Sequence, residues 1–330
     1  MARLTIADAR SLAEQTMQAV GHSADEAKLI ADHLIDCELR GLAYGGLPRA
    51  LSIVERMKSA KEPRTPIRVE DKTTVSALVH GGDNVGYLVA WKAMQVAIER
   101  AKAHGVAVIG SNSTWYTGML SYYAERITAN DLVCMITSNA SPWVAPYGGT
   151  EGRFGTNPIC YGFPTVSGDP IIWDIGTSTI MHAEIMVAKR LGRELPEGVA
   201  FGPDGKPTRD PAAALGGAIR AWGDAKGSGL GIVVQLLGAM CDAPAIPKGM
   251  GDFGCLFVVM SPGLLMPVET FKKSVSDYAD AVRGTRPVEG GSPVRMPFDR
   301  SAADRRRRVA ANVVEVPDAI YEQLRKVAGK

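Results

Sequence analysis

The sequence predicts a mixed α/β protein whose sheet is not of the doubly wound parallel kind. Three observations predict it. Helical periodicity fills roughly the first 60 residues and returns near the end of the chain. From about Val75 the texture changes to short β-rich runs. Those runs are spaced too irregularly for repeated strand–helix units.

Taken in order, Thr5 to Val20 reads as an amphipathic helix. Ser23 followed by Glu26 forms a capping-box pattern ahead of ADEAKLIADHLIDCELR, in which Ala27, Ile30, Ala31, Leu34 and Ile35 recur at helical spacing. Gly41 ends that helix, ALSIVERMKSA supplies a third, and the Pro-containing KEPRTPIRV closes the unit. The strand candidates TVSALVH, VAVIGS, LVCMITS and IIWDI follow, separated by Gly and Asn turns and by one long helix, YLVAWKAMQVAIERAKAHG. From about Val268 the chain is helical again, then charged in FDRSAADRRRR, and it ends in the helix DAIYEQLRKVAG. There are no repeats and no low-complexity tract.

The 330 residues are 46% hydrophobic and 22% charged, enough for a large core. A formal net charge of +2, from 37 basic and 35 acidic residues, gives no field of the kind a nucleic-acid or membrane-surface binder uses, so a small-molecule partner is expected. Cys37, Cys134, Cys160, Cys241 and Cys255 are scattered, with no C-x-x-C pair, which argues against a disulfide framework and against a zinc site. With no apolar signal core at the start and no membrane-length apolar run, a cytoplasmic location is expected.

Gly249, Gly251 and Gly254 spell G-x-G-x-x-G, but APAIPK precedes them and CLFVVM follows, whereas a dinucleotide fingerprint needs a strand before and a helix after. They read as a turn leading into a strand. None of the five histidines stands at metal-ligand spacing, so no metal is expected. Residues 111 to 230, by contrast, carry five segments of small hydroxyl residues and glycines: SNSTWYTGMLSYYAE, SNASPWVAPYGG, FGTNPICYGFP, WDIGTSTIMHAEI and WGDAKGSGLGIVV. Each alone is ordinary turn chemistry. Together they suit a cofactor with phosphates, since such residues before helices leave backbone N–H groups free for anions.

In AMQVAIERAKAHGV, SPWVAPYGG, GTNPICYGFP, WDIGTS, LPEGVAFGPDGKPTRDPAAALGG and DAKGSGLGI, in that order, the chain resembles the type-2 malate/L-lactate dehydrogenases. That family also includes sulfolactate and ureidoglycolate dehydrogenases, diketogulonate reductase and Δ1-piperideine-2-carboxylate reductase. The resemblance implies a non-Rossmann fold, in which a largely antiparallel sheet domain (73–267) binds NAD or NADP. It implies a mostly helical domain built from both chain ends (1–72 and 268–330), and a homodimer with the active site near the subunit interface.

The chain departs from the family where it matters most. The family's Ser-His-Gly reads Tyr44, Gly45, Gly46 here, with Arg49 retained, and the histidine of its His-Phe-Gly motif falls on Tyr116-Thr117-Gly118. The resemblance gives Arg49 and Thr156 the substrate carboxylate, a role suited to a planar guanidinium. Tyr116, then Tyr44, is the candidate proton donor, with Lys226 as a cation to assist it. Each of these side chains also has an ordinary reading, as a surface arginine or a packing tyrosine.

Thr117, Gly118, Met119, Leu120, Ser141, Asp174, Ile175, Gly176, Ser178, His182, Ala183 and Lys226 are the implied cofactor contacts. Glu184 falls at a relay position without its partner histidine. Arg305 to Arg308 could reach a 2′-phosphate, although such a run is ordinarily a solvated face. The expected activity is interconversion of a small 2-oxo acid and its 2-hydroxy acid. The alternative is reduction of a cyclic imine carboxylate, which needs a positioned acid less; a cofactor-binding homologue that has lost catalysis is the third reading.

Overall fold

A computed structural model describes residues 1–329. A short strand, β1 (Ala2–Leu4), leads into three helices, α1 (Ile6–Gln18), α2 (Ala24–Leu39) and α3 (Leu47–Ser59), with a 3-10 turn at Ala43–Gly45 before the last. The helix starts lie where the sequence signals place them. Thr5 Oγ accepts from Asp8 N, and Ser23 and Glu26 form a complete capping box.

The central region holds β2 (Arg68–Asp71), β3 (Ser76–Val85), α4 (Gly86–His104), β4 (Val106–Trp115), α5 (Ser121–Thr128), β5 (Val133–Ser138), β6 (Val144–Ala145), β7 (Ile159–Phe163) and β8 (Ile171–Ile175). It continues through α6 (His182–Arg190), β9 (Ala200–Phe201), α7 (Pro211–Gly216), β10 (Ala218–Arg220), α8 (Asp224–Ala239) and β11 (Phe253–Met260). The chain finishes with α9 (Val268–Arg283), α10 (Asp299–Ala311), β12 (Val314–Val316) and α11 (Asp318–Val327).

Seven strands form one sheet in the order β2-β3-β4-β11-β5-β7-β8. Only β3 and β4 pair in parallel, joined by the crossover helix α4; every other pairing in that sheet is antiparallel. The late strand β11 sits at the centre of the sheet, directly after the glycine turn at 249–251, so that G-x-G-x-x-G opens a strand and not a helix. A side chain at Gly254 would lie 2.2 Å from the carbonyl oxygen of Gly238, so this glycine lets α8 rest on the sheet backbone.

Both chain ends share one core. β1 pairs antiparallel with β12, and residues of α1, α2, α3 and α11 form a single apolar cluster that reaches Val85, Trp115 and Phe253 at the sheet. A second cluster lies between α4, α5 and the sheet, and a third holds β6, β9, β10 and α6 together. α9 does not join the end-to-end core. Val275, Ala279 and Val282 pack with Phe163 and Ile171 on the β7–β8 edge, because its apolar face meets that edge before the chain turns back. The return to the helical layer, expected from 268, is made by α10, β12 and α11.

Arg305, Arg306 and Arg307 on α10 are exposed, as expected of a solvated face, yet the whole run is also paired. Arg305 Nε donates to Asp36 Oδ1 at 2.6 Å, Arg306 and Arg307 face Asp169 and Asp304, and Arg308 donates to the carbonyl oxygen of Glu38 at the end of α2. The Arg305 and Arg308 contacts tie α10 to the negative end of the α2 dipole. Among the described residues no helix is long and apolar enough to cross a membrane, and no cluster of His, Cys, Asp and Glu is arranged for a metal.

Candidate active site

Where the helical layer meets the sheet there is a cavity of about 340 Å³. Its walls come from the 42–49 turn, the 116–121 loop after β4, the 138–143 loop after β5, the end of β8, the start of α6 and the start of α10.

The 42–49 turn is built around Glu38. Its Oε1 accepts from Leu47 N at 2.7 Å, capping α3 from outside, and burial pushes the carboxyl up to about 7. A Cβ at Gly46 would sit 2.2 Å from that oxygen, so only glycine lets the carboxyl approach. The turn delivers Arg49, in the first turn of α3, to the cavity. Among the described residues the Arg49 side chain makes no hydrogen bond and no ion pair, and its Nη1 is buried without a partner. Such a group is costly unless something accepts from it. Its guanidinium carbon lies 4.3 Å from the centroid of the Tyr116 ring.

Tyr116 itself has φ 52°, a left-handed backbone uncommon for a bulky residue, and Gly118 follows at φ +77°. Several fixed groups hold this bend. Tyr123 Oη donates to Thr117 O at 2.8 Å, Thr117 Oγ1 donates to Ser138 Oγ at 3.1 Å, and Met119 N donates to His33 Nε2 at 2.9 Å. His33 is fully buried, which holds its pKa well below the ordinary value and keeps it the acceptor this bond requires. Gly86, at the start of α4, lies against the same bend: a Cβ there would be 2.8 Å from Thr117 Cα.

On the opposite wall, Asp174 Oδ2 accepts from Ser121 N at 2.7 Å, so the carboxylate caps α5 while burial raises its pKa. His182 stacks on Trp143 with ring centroids 3.9 Å apart at 16°. Burial, then the Arg49 charge, pushes its pKa down to about 3, so the imidazole is neutral. Tyr44 is held protonated: burial, then the carboxylates of Glu184 and Asp174, raises its pKa above the ordinary phenol value. Burial likewise raises the Glu184 carboxyl.

Of the residues picked out from sequence, Tyr44, Arg49, Tyr116, Thr117, Gly118, Met119, Thr156, Asp174, Gly176, His182 and Ala183 all line this one cavity. Five do not. Leu120 is buried in the core under α5, Ile175 pairs with Ile159 across β7–β8, and Ser178 Oγ donates to Ile180 O at 2.8 Å. Ser141 Oγ ties its loop to the carbonyl oxygen of Gly249, and Lys226 is exposed on the first turn of α8. The cation against Tyr116 is therefore Arg49, not Lys226.

Sequence reasoning missed Trp143, Asn139, Met181, Phe253 and the 297–301 segment, all of which line the cavity. Trp143 could have been found, since it stands in SNASPWVAPYGG, one of the five hydroxyl- and glycine-rich segments. Pro297 to Ser301 carry no local signal; only the path of α10 brings them there.

The malate/L-lactate dehydrogenase family model matches residues 4–325. The chain belongs to this family. It is 30% identical to a malate/(S)-sulfolactate dehydrogenase of Methanothermus fervidus, covering 97% of this chain and 95% of that one. It is 31% identical to a Δ1-pyrroline-2-carboxylate reductase of Burkholderia ambifaria, covering 97% and 96%. The crystal structure of a dehydrogenase from Sinorhizobium meliloti superimposes with a TM-score of 0.91 at 30% identity, over 99% of this chain and 98% of that one. As a member of the malate/L-lactate dehydrogenase family, the protein is an oxidoreductase that works with NAD or NADP.

Proposed function

We propose that this cavity binds the nicotinamide end of NAD or NADP beside a small 2-oxo or 2-hydroxy acid, in a non-Rossmann mode that uses the loops of the largely antiparallel sheet. The observation that carries the reading is Arg49: a cation lining the cavity, with one nitrogen buried and unpartnered, in a wall to which Thr156 also contributes. A substrate carboxylate completes it through paired charge-assisted hydrogen bonds. Thr117, Gly118, Met119, Gly176 and Ala183 are the lining residues that would hold the cofactor. Bound there, the reduced cofactor supplies hydride to the carbon beside the carboxylate.

The chain's own part is the proton. As negative charge builds on the carbonyl oxygen, the Tyr116 hydroxyl donates to it, and Arg49 against the ring stabilises the charge that donation leaves. In the reverse direction the same oxygen takes the proton back. Trp143, Phe253 and Phe298 make the walls apolar and reduce access of water.

A second reading, reduction of a cyclic imine carboxylate, is favoured by a specific observation. The cavity's only lining histidine, His182, is held neutral at about 3, so no imidazolium is at hand for a ketone. An imine that arrives protonated needs none. Following nicotinamide absorbance with NADH and NADPH over a panel of 2-oxo acids and cyclic imine carboxylates decides between the two; no turnover of either class would sink both.

The chain is proposed to act as a homodimer. Ile232, Val233 and Leu236 on α8 and Met240 at its C-cap are exposed at helical spacing, a stripe that a second copy would cover. Sedimentation of Leu236→Glu as a monomer beside a dimeric parent supports this, and a monomeric parent overturns it.

A further inference from the structure

The reading of the cavity as a 2-oxo acid or cyclic imine site leaves the rest of the substrate unspecified. The charges and rings around Arg49 narrow it. Among the residues lining the cavity there are two guanidiniums and no lysine; Arg49 is one, and Arg300, on the first turn of α10, is exposed. The remaining ionisable groups are unfavourable to a second anion. Asp174 lines the wall and Glu184 lies near Tyr44, while His182 carries no charge.

The rings are also fixed in place. Trp143 is stacked on His182 on one side and meets Phe253 edge-on at 6.1 Å and 86° on the other. Its backbone N–H donates to Ser141 O at 2.8 Å, and its carbonyl accepts from Ile219 N at 2.8 Å, so the indole is held at both ends of its residue. Tyr116 lies under the Arg49 guanidinium at 4.3 Å, and Tyr44 and Phe298 add further rings to the cavity lining. A flat or apolar group gains contact there, whereas a second carboxylate or sulfonate would lose its water without gaining a buried cation.

We infer that the substrate carries a single anionic group, the carboxylate held by Arg49, and that its remainder is a flat or apolar moiety seated against the Trp143–His182 pair. Acids with a second anionic group at the far end of the chain are poor substrates.

The test is a comparison of kcat/KM for the full-length protein with each cofactor. One set is pyruvate, phenylpyruvate, Δ1-pyrroline-2-carboxylate and Δ1-piperideine-2-carboxylate; the other is oxaloacetate and sulfopyruvate. The best monoanion should exceed both dianions by about a hundredfold or more. Equal or better turnover of either dianion overturns the inference. Calorimetry without turnover gives a second readout. Pyrrole-2-carboxylate should bind, malonate should bind at least about tenfold more weakly, and Arg49→Ala should abolish the stronger binding.

Tighter binding of malonate overturns the inference as well. If no acid in the panel turns over, the proposed activity fails while calorimetry still decides the number of anionic groups. His182→Lys, which places a cation beside Arg49, should move the monoanion-to-dianion ratio toward oxaloacetate by about tenfold or more. An unchanged ratio in a folded variant shows that the site's charge does not set the preference.

Discussion

Glu38 connects the helix that carries Arg49 with the arginine run on α10, and the two sets of arginines are used in opposite ways. The Glu38 side chain caps the helix that carries Arg49, and its backbone carbonyl accepts from Arg308. Arg305 through Arg308 are each spent on a carboxylate or a carbonyl of this chain. Arg49 has nothing but the face of Tyr116. The difference teaches that arginine count and exposure do not mark a ligand site. The better candidate is a guanidinium with none of its hydrogen bonds made by the fold, which is the basis of the role proposed for Arg49.

The comparison is tested most severely at Tyr116. If the ring against Arg49 is the acid, Tyr116→Phe should cost about two to four powers of ten in kcat for a 2-oxo acid, with cofactor affinity nearly unchanged. For an imine protonated in solution the loss should be much smaller, and the rate should follow the imine's own ionisation. Steady-state kinetics on both substrate classes separates the cases. Full activity toward 2-oxo acids would remove Tyr116 and leave Tyr44 to be tried.

Arg49→Lys comes next. An ammonium cannot reproduce the paired hydrogen bonds, so kcat/KM should fall about a hundredfold with little change in thermal stability, because the native side chain bonds to nothing in the fold. Unchanged kcat/KM would place the arginine outside the site, and a large stability loss would put it with the structural arginines.

Glu38 links the two regions and supplies a pH dependence. Its carboxyl keeps its proton to about 7 when folded, against 4.5 as the ordinary value. The stabilisation is therefore complete below about pH 4.5 and is lost as pH rises through about 7, by about 3 kcal/mol at most. Glu38→Gln can still accept from Leu47 N. Denaturant titrations should show the slope between those pH values flattened in the variant; an equal slope in both proteins would assign it to other groups.

The smallest effect is expected on α10. Arg305→Ala leaves Asp36 paired with Arg40 at 2.7 Å, so it should cost about 1 kcal/mol of stability and leave kcat/KM for the substrate alone. A kinetic defect without a stability loss would reverse the assignment of the two regions.

The helix starts at Thr5 and Ser23, the change of texture near Val75 and the strand after G-x-G-x-x-G were legible in the sequence, because caps, hydrophobic period and turn residues act over a few positions. The resemblance carried by whole motifs brought out Arg49, Thr156 and the 116–119 bend in the same way. What local patterns cannot encode is which distant partner takes up a polar group. Ser141, an implied cofactor contact, and Arg305, Arg306 and Arg308, set against a 2′-phosphate, each find an acceptor far along the chain.

The tertiary structure alone set β11 between β4 and β5, sent α9 to the sheet edge, stacked Trp143 on His182, and made Arg49, not Lys226, the cation at Tyr116. The physical reason is the same throughout: burial and pairing depend on groups brought together across the chain. A residue's own sequence surroundings determine its local geometry and not whether its hydrogen bonds are left for a ligand.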